Sequence, residues 1–132
     1  LVALAQQENI RVVPLIGPSS LLLALMASGL DGQRFAFHGY LPAWESERAA
    51  TLRDLEAESR RRRQTQLFIE TPYRNRPLFD SIMQVCQMAT RLTLATDLTL
   101  PGETVRTRTV GQWKKLAPPL IERRPTVFLL LA

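Results

Sequence analysis

A chain of 132 residues, 45% apolar and 22% charged, has the makeup of one globular domain, large enough to bury about two thirds of its unfolded surface. A single cysteine, Cys86, and a single histidine, His38, exclude an internal disulfide and a Cys/His zinc site, which points to a reducing, cytoplasmic setting. No stretch reaches the ~20 apolar residues of a membrane span, and no signal-peptide pattern opens the chain. The net charge of +5 rests on 17 basic residues, all arginine except Lys114 and Lys115. Arginine's planar fork suits phosphate, so a nucleic-acid partner is permitted; a solvated arginine-rich surface accounts for the same charge.

In chain order, Leu1–Gln7 reads as a helix already under way at the first residue, so the chain is expected to be the later part of a longer protein. Val12-Val13 predicts a short strand, which Pro14 stops because it has no amide hydrogen to give a neighbour. Gly17-Pro18 makes a tight turn, and Ser19 or Ser20 can cap the helix that follows. Leu21–Ser28 is apolar on every side, which predicts a buried helix, and Gly29 provides its left-handed end. The free amides at such a helix start suit an anion or a polar ligand atom. A plain strand–turn–helix connection explains the same residues.

Arg34–His38 alternates like a strand, with Phe35 and Phe37 on one face. Trp44–Arg63 reads as an exposed helix with a narrow stripe of Ala49, Leu52 and Leu55. Glu45 and Glu47 lie near its start and Arg60–Arg63 at its end, as the helix dipole prefers; the arginine run fits RNA phosphates or a solvated helix end. Gln66–Ile69 predicts a central strand running into Glu70-Thr71-Pro72-Tyr73-Arg74, the location where open α/β sheets bind ligands. Glu70 offers an acceptor for ribose or amino groups and Arg74 a partner for carboxylate or phosphate, although a helix-entry turn needs the same residues. Leu78, Ile82, Cys86 and Ala89 mark one helical face, making Cys86 a core thiol. Leu92–Thr99 and Thr104–Val110 alternate as strands on either side of Leu100-Pro101-Gly102-Glu103, with Arg106 and Arg108 on one side. Gln112–Leu116 predicts a short helix ended by Pro118-Pro119, and Pro125–Leu131 a buried strand. Roughly five or six strands interleaved with helices predict a single α/β domain with a mixed sheet.

The ordered set Val12-x-Pro14-x-x-Gly17-Pro18-Ser19-Ser20, Gly39-Tyr40-Leu41-Pro42, Glu70-Thr71-Pro72-Tyr73-Arg74, Asp97-Leu98-Thr99 and Arg124-Pro125-Thr126-Val127 resembles the C-terminal domain of the tetrapyrrole methylase family. It is most similar to the branch that methylates 16S ribosomal RNA at a cytidine 2′-hydroxyl. Tyr73 stands where that branch has histidine, and Leu100 where it has lysine. The resemblance implies an S-adenosylmethionine-dependent methyltransferase of two domains, cytoplasmic and homodimeric, needing no metal, with the donor in the cleft between domains. It further implies an N-terminal domain carrying a glycine-rich segment; no Gly-x-Gly occurs in these residues. By motif position the donor contacts would come from Ser19, Ser20, Ile69, Glu70, Thr71, Leu98, Thr126 and Val127. Glu70 and Tyr73 would be the nearest candidates for a catalytic base, and Arg74 for a substrate contact. The acceptor implied is RNA ribose. The alternatives are a small tetrapyrrole-like acceptor, or a basic RNA-binding or dimerisation module with no catalytic duty.

Overall fold

One strand at the middle of the fold, β5 (Thr126–Leu131), is buried at every residue. A computed structural model, which describes residues 1–132, sets it in a five-stranded mixed sheet of order β1-β2-β5-β3-β4. The other strands are β1 (Phe35–Tyr40), β2 (Thr65–Ile69), β3 (Arg91–Thr96) and β4 (Thr104–Thr109). The β1–β2 pair is parallel; β2–β5, β5–β3 and β3–β4 are antiparallel. The α/β class and the mixed sheet expected from the sequence are both observed.

Alternation along β5 divides the core in two. Phe128 and Leu130 face a layer made by α3 (Glu45–Arg62) and α4 (Asn75–Val85), where they join Leu52, Phe68, Leu78, Ile82, Leu92 and Trp113. Phe68 and Phe128 stack there with ring centroids 5.9 Å apart. Val127, Leu129 and Leu131 face the opposite side with Leu67, Ala95 and the inner residues Ala24 and Leu25 of α2 (Ser20–Ser28).

Four sequence expectations change. Val12 and Val13 form no strand and join no edge of the sheet; residues 8–19 run without regular structure beyond the short α1 (Val2–Gln7). The helix α2 is not wholly buried: Ala24, Leu25 and Ser28 are covered, whereas Leu22 and Met26 stand in solvent. The sheet covers one side of this nine-residue helix, and its far side meets nothing else in these residues. The arginine-rich α3 is less exposed than its composition predicts, since polar residues on the flanks of its stripe are inside. Arg48 donates from Nε to Ser81 Oγ at 2.9 Å, Glu56 Oε1 accepts the amide of Gln87 at 2.7 Å, and Ser59 Oγ accepts the amide of Ala132 at 2.9 Å. The short helix near Gln112 starts earlier than predicted, at Val110, as α5 (Val110–Trp113), because Thr109 and Gln112 close a reciprocal capping box. Gly29 does end α2 in the left-handed region, at φ 69°.

Cys86 closes α4 and is buried, as its place on the apolar face predicts. Burial first, and the Glu56 carboxylate second, push its thiol from 9.0 up to about 12. The native protein should therefore react negligibly with a thiol reagent at pH 8 and become reactive only on unfolding. Between about pH 9 and 12 the unfolded chain loses a proton that the folded one keeps, so stability should fall with rising pH across that window. Replacing Cys86 with alanine should remove that part of the pH dependence in urea titrations.

Candidate functional site

The register of β5 creates the site. Val127 pairs with both Ile69 at the end of β2 and Ala95 near the end of β3. Because β5 runs antiparallel to both neighbours, its first residues lie beside their last ones, and three chain ends meet at one rim. A cleft of about 340 Å³ opens there. Among its walls are Ser20 from the start of α2, Ile69 and Glu70 after β2, Leu98 after β3, and Thr126 and Val127 of β5. Six of the eight residues singled out for donor contact are thus brought together. The other two stand beside it. Ser19 is the N-cap residue of α2 but makes no side-chain cap bond, and Thr71 is bound to Glu70. Tyr73 is 72% exposed and is not part of the cleft wall.

Glu70 is buried, and its two oxygens are treated differently. Oε1 accepts the amide of Thr71 at 2.7 Å and Nε and Nη2 of Arg74 at 3.1 and 2.9 Å. Oε2 is buried with no partner at all. A buried carboxylate oxygen without a donor is costly, and such atoms mark places completed by a ligand or water. The guanidinium of Arg74, expected to hold a substrate anion, is instead engaged by Glu70 and by the hydroxyl of Thr71. It neutralises the acid rather than reaching for a ligand.

Sequence reasoning missed the brace behind the cleft. Arg124 donates from Nε to Asp97 Oδ2 at 2.8 Å, from Nη2 to the carbonyl of Gly102 at 2.7 Å and from Nη1 to the carbonyl of Leu120 at 2.8 Å. It ties the β3–β4 loop, which carries Leu98 and Leu100 into the cleft, to the entry of β5. That loop needs tying: Asp97 and Thr99 sit at φ 52° and 68°, where non-glycine residues are strained. A β-carbon at Gly102 would meet Arg124 Nη2 at 3.2 Å and Asp97 Oδ2 at 3.3 Å, so glycine lets the brace close. A pair separated by 27 residues leaves no local signature in the sequence.

The cleft is mainly apolar with a few fixed polar groups and exposed strand-end backbone, which suits a flat heterocycle carrying a polar tail. No group of His, Cys, Asp or Glu residues is arranged to hold a metal ion. The α/β fold is shared with methyltransferases of known structure. The methyltransferase CobJ superposes with a TM-score of 0.58 at 17% identity over 98% of this chain and 54% of that one. The cobalt precorrin-4 methyltransferase CbiF superposes with 0.54 at 14% identity over 98% and 56%.

In fold the chain resembles the tetrapyrrole methylase family. Its sequence is similar to proteins named ribosomal RNA small subunit methyltransferase I. That of Escherichia coli O157:H7 is 37% identical over 112 residues, 85% of this chain and 38% of that protein. That of Pseudomonas aeruginosa is 38% identical over 106 residues, 80% and 36% of the two chains. The chain thus spans less than two fifths of the length of these relatives. No protein-family model matches it.

Replacing Arg124 with alanine should free the β3–β4 loop while leaving the sheet intact. Hydrogen exchange of amides 98–103 should quicken by about tenfold or more, with about 1–2 kcal/mol lost from global stability.

Proposed function

We propose that these residues form the C-terminal domain of an S-adenosylmethionine-dependent methyltransferase acting on ribosomal RNA ribose, working in the cytoplasm as a homodimer. The observation that carries this reading is the cleft itself: motif positions scattered from Ser20 to Val127 line one cavity whose acid, Glu70, has an unpartnered oxygen. The names of the relatives supply the acceptor class. No helix is long and apolar enough to cross a membrane.

When bound, the donor supplies a methyl carbon activated by sulfonium; its bond to sulfur breaks as its bond to the acceptor oxygen forms, and the hydroxyl proton leaves to a base or water. The work left to this chain is alignment. Ile69, Leu98 and Val127 give apolar walls for the adenine, and the strand-end backbone gives it hydrogen bonds. Glu70, charge-balanced by Arg74, accepts a donor hydrogen at Oε2. In this role Glu70 positions the methyl donor and does not take the proton. Tyr73, in solvent, is left to meet the acceptor. The remaining wall comes from an N-terminal domain, and the apolar side chains that residues 1–18 hold in solvent, such as Leu4, Leu15 and Ile16, fit contact with it.

In the full-length protein, Glu70→Gln should weaken donor binding about tenfold by calorimetry, with RNA binding unchanged. Residues 1–132 alone should bind the donor too weakly to reach the micromolar range. Micromolar binding by this half alone would contradict the two-domain cleft, and an unaltered Glu70→Gln affinity would remove Glu70 from it. A purely basic binding module would show neither donor binding nor any response to the substitution.

A further inference from the structure

The opposite end of the sheet carries a second feature. Arg34, at the entry of β1, and Arg61, Arg62, Arg63 and Gln64, after α3, line a concavity of about 440 Å³ with no apolar and no acidic wall. The turn that leads α3 into β2 brings them together, since the amide of Thr65 bonds the carbonyl of Arg34 at 2.9 Å. Arg34 Nη1 also donates to the carbonyl of Arg62 at 3.4 Å. One carboxylate, Glu58, serves both Arg61 and Arg62, whereas Arg34 and Arg63 pair with none. The nearby Asp31 spends Oδ1 on the amides of Gln33 and Arg34. Arg63 is placed at a cost: it is the left-handed C-cap of α3, at φ 50°, where glycine is the usual occupant.

We infer that this concavity is a docking site for phosphates of an RNA backbone, distinct from the donor cleft. Four arginines line one space with a single carboxylate shared by two of them, which leaves net positive charge there. An anion with several oxygens balances that charge and fits their forks. A helix C-terminus explains why cations gather near α3, but not why Arg34 joins them from another element. The site lies one strand length away from the cleft. From Gln64 to Glu70 along β2 is about 20 Å at ~3.3 Å per residue. A small acceptor cannot touch both ends. A nucleic-acid strand can, since about six nucleotides cover that distance at ~3.4 Å of rise each. The concavity then fixes the register of a long acceptor whose reacting nucleotide lies in the cleft. This second step rests on the proposed RNA methylation; the binding of phosphate does not.

The test uses the full-length protein and a structured oligoribonucleotide, with affinity followed by fluorescence anisotropy from low to moderate salt. Arg34→Gln combined with Arg63→Gln breaks no ion pair and should weaken binding about tenfold. The slope of log affinity against log salt should flatten by roughly 0.7–0.9 for each phosphate no longer neutralised. Lys114→Gln combined with Lys115→Gln removes the same charge elsewhere and should have a much smaller effect. Calorimetric donor binding, unchanged in both variants, reports that the fold is intact. Equal losses in the two double variants, or an unchanged salt slope in the arginine one, would overturn the inference. So would tighter binding to vesicles rich in anionic lipid than to RNA, lost in the same variant. If the arginine variant alone loses RNA while the unaltered protein methylates no ribosomal RNA, the docking site stands and the proposed reaction falls.

Discussion

The antiparallel pairing of β5 with both β2 and β3 is the constraint on which the rest of the structure depends. Six consecutive residues, Thr126–Leu131, are buried on both faces, so they can exist only as an inner strand with helices on either side. Their register then does two things at once. It stacks Phe128 on Phe68 and splits the core into two layers, and it places Val127 between Ile69 and Ala95. A shift of one residue would turn Phe128 toward α2 and carry Val127 away from the cleft. Folding of the sheet therefore also assembles the strand-end part of the site, to which α2 and the β3–β4 loop add Ser20, Leu98 and Leu100.

The arginines show how far structure sorts what composition presents as uniform. Arg48 is buried and bonds Ser81; Arg74 balances Glu70; Arg124 braces the β3–β4 loop. These three are internal fasteners: Arg74 and Arg124 pair with carboxylates, and Arg48 is held by a hydroxyl and a carbonyl. Arg34 and Arg63 have no acidic partner and face the concavity at the far rim. A net charge of +5 is silent about this division. It depends on which carboxylates and carbonyls the fold delivers to each guanidinium, and those deliveries cross 27 residues for Arg124 and 33 for Arg48.

What is legible in the sequence follows the same logic. Alternation marks β1, β3 and β4, since a strand's neighbours are imprinted on every second residue, and an unbroken apolar run marks β5. Gly29 announces its left-handed cap, and the apolar face of α4 is set by Leu78 and Ile82. Thr109 and Gln112 carry a capping box that fixes the start of α5, a local signal finer than the apolar pattern around it. Val12 and Val13 have strand propensity without a strand, because propensity supplies no partner edge. Apolar content alone overstates the burial of α2: nine residues can be apolar all round while one sheet face covers only Ala24, Leu25 and Ser28. The positions around the cleft are found by motif order and not by chemistry, and the Asp97–Arg124 brace is found by neither.

That last asymmetry has a physical basis in the chemistry the cleft suits. A displacement at an activated carbon asks the protein for position more than for strong acids or bases, and position comes from backbone. In the proposed reaction strand ends and a strained loop would do this work, with side chains such as Ile69, Leu98 and Val127 needed only as apolar surface. Residue types under so little chemical demand leave a faint trace in composition and spacing. The strain at Asp97 and Thr99 is the better marker, because left-handed non-glycine residues persist only where their surroundings hold them. Here the holding groups are Arg124, fastened to Asp97, Gly102 and Leu120, and Glu103, whose Oε2 accepts the amide of Thr99. A cleft built this way tolerates replacement of its apolar side chains and is intolerant at Glu70 and at its brace.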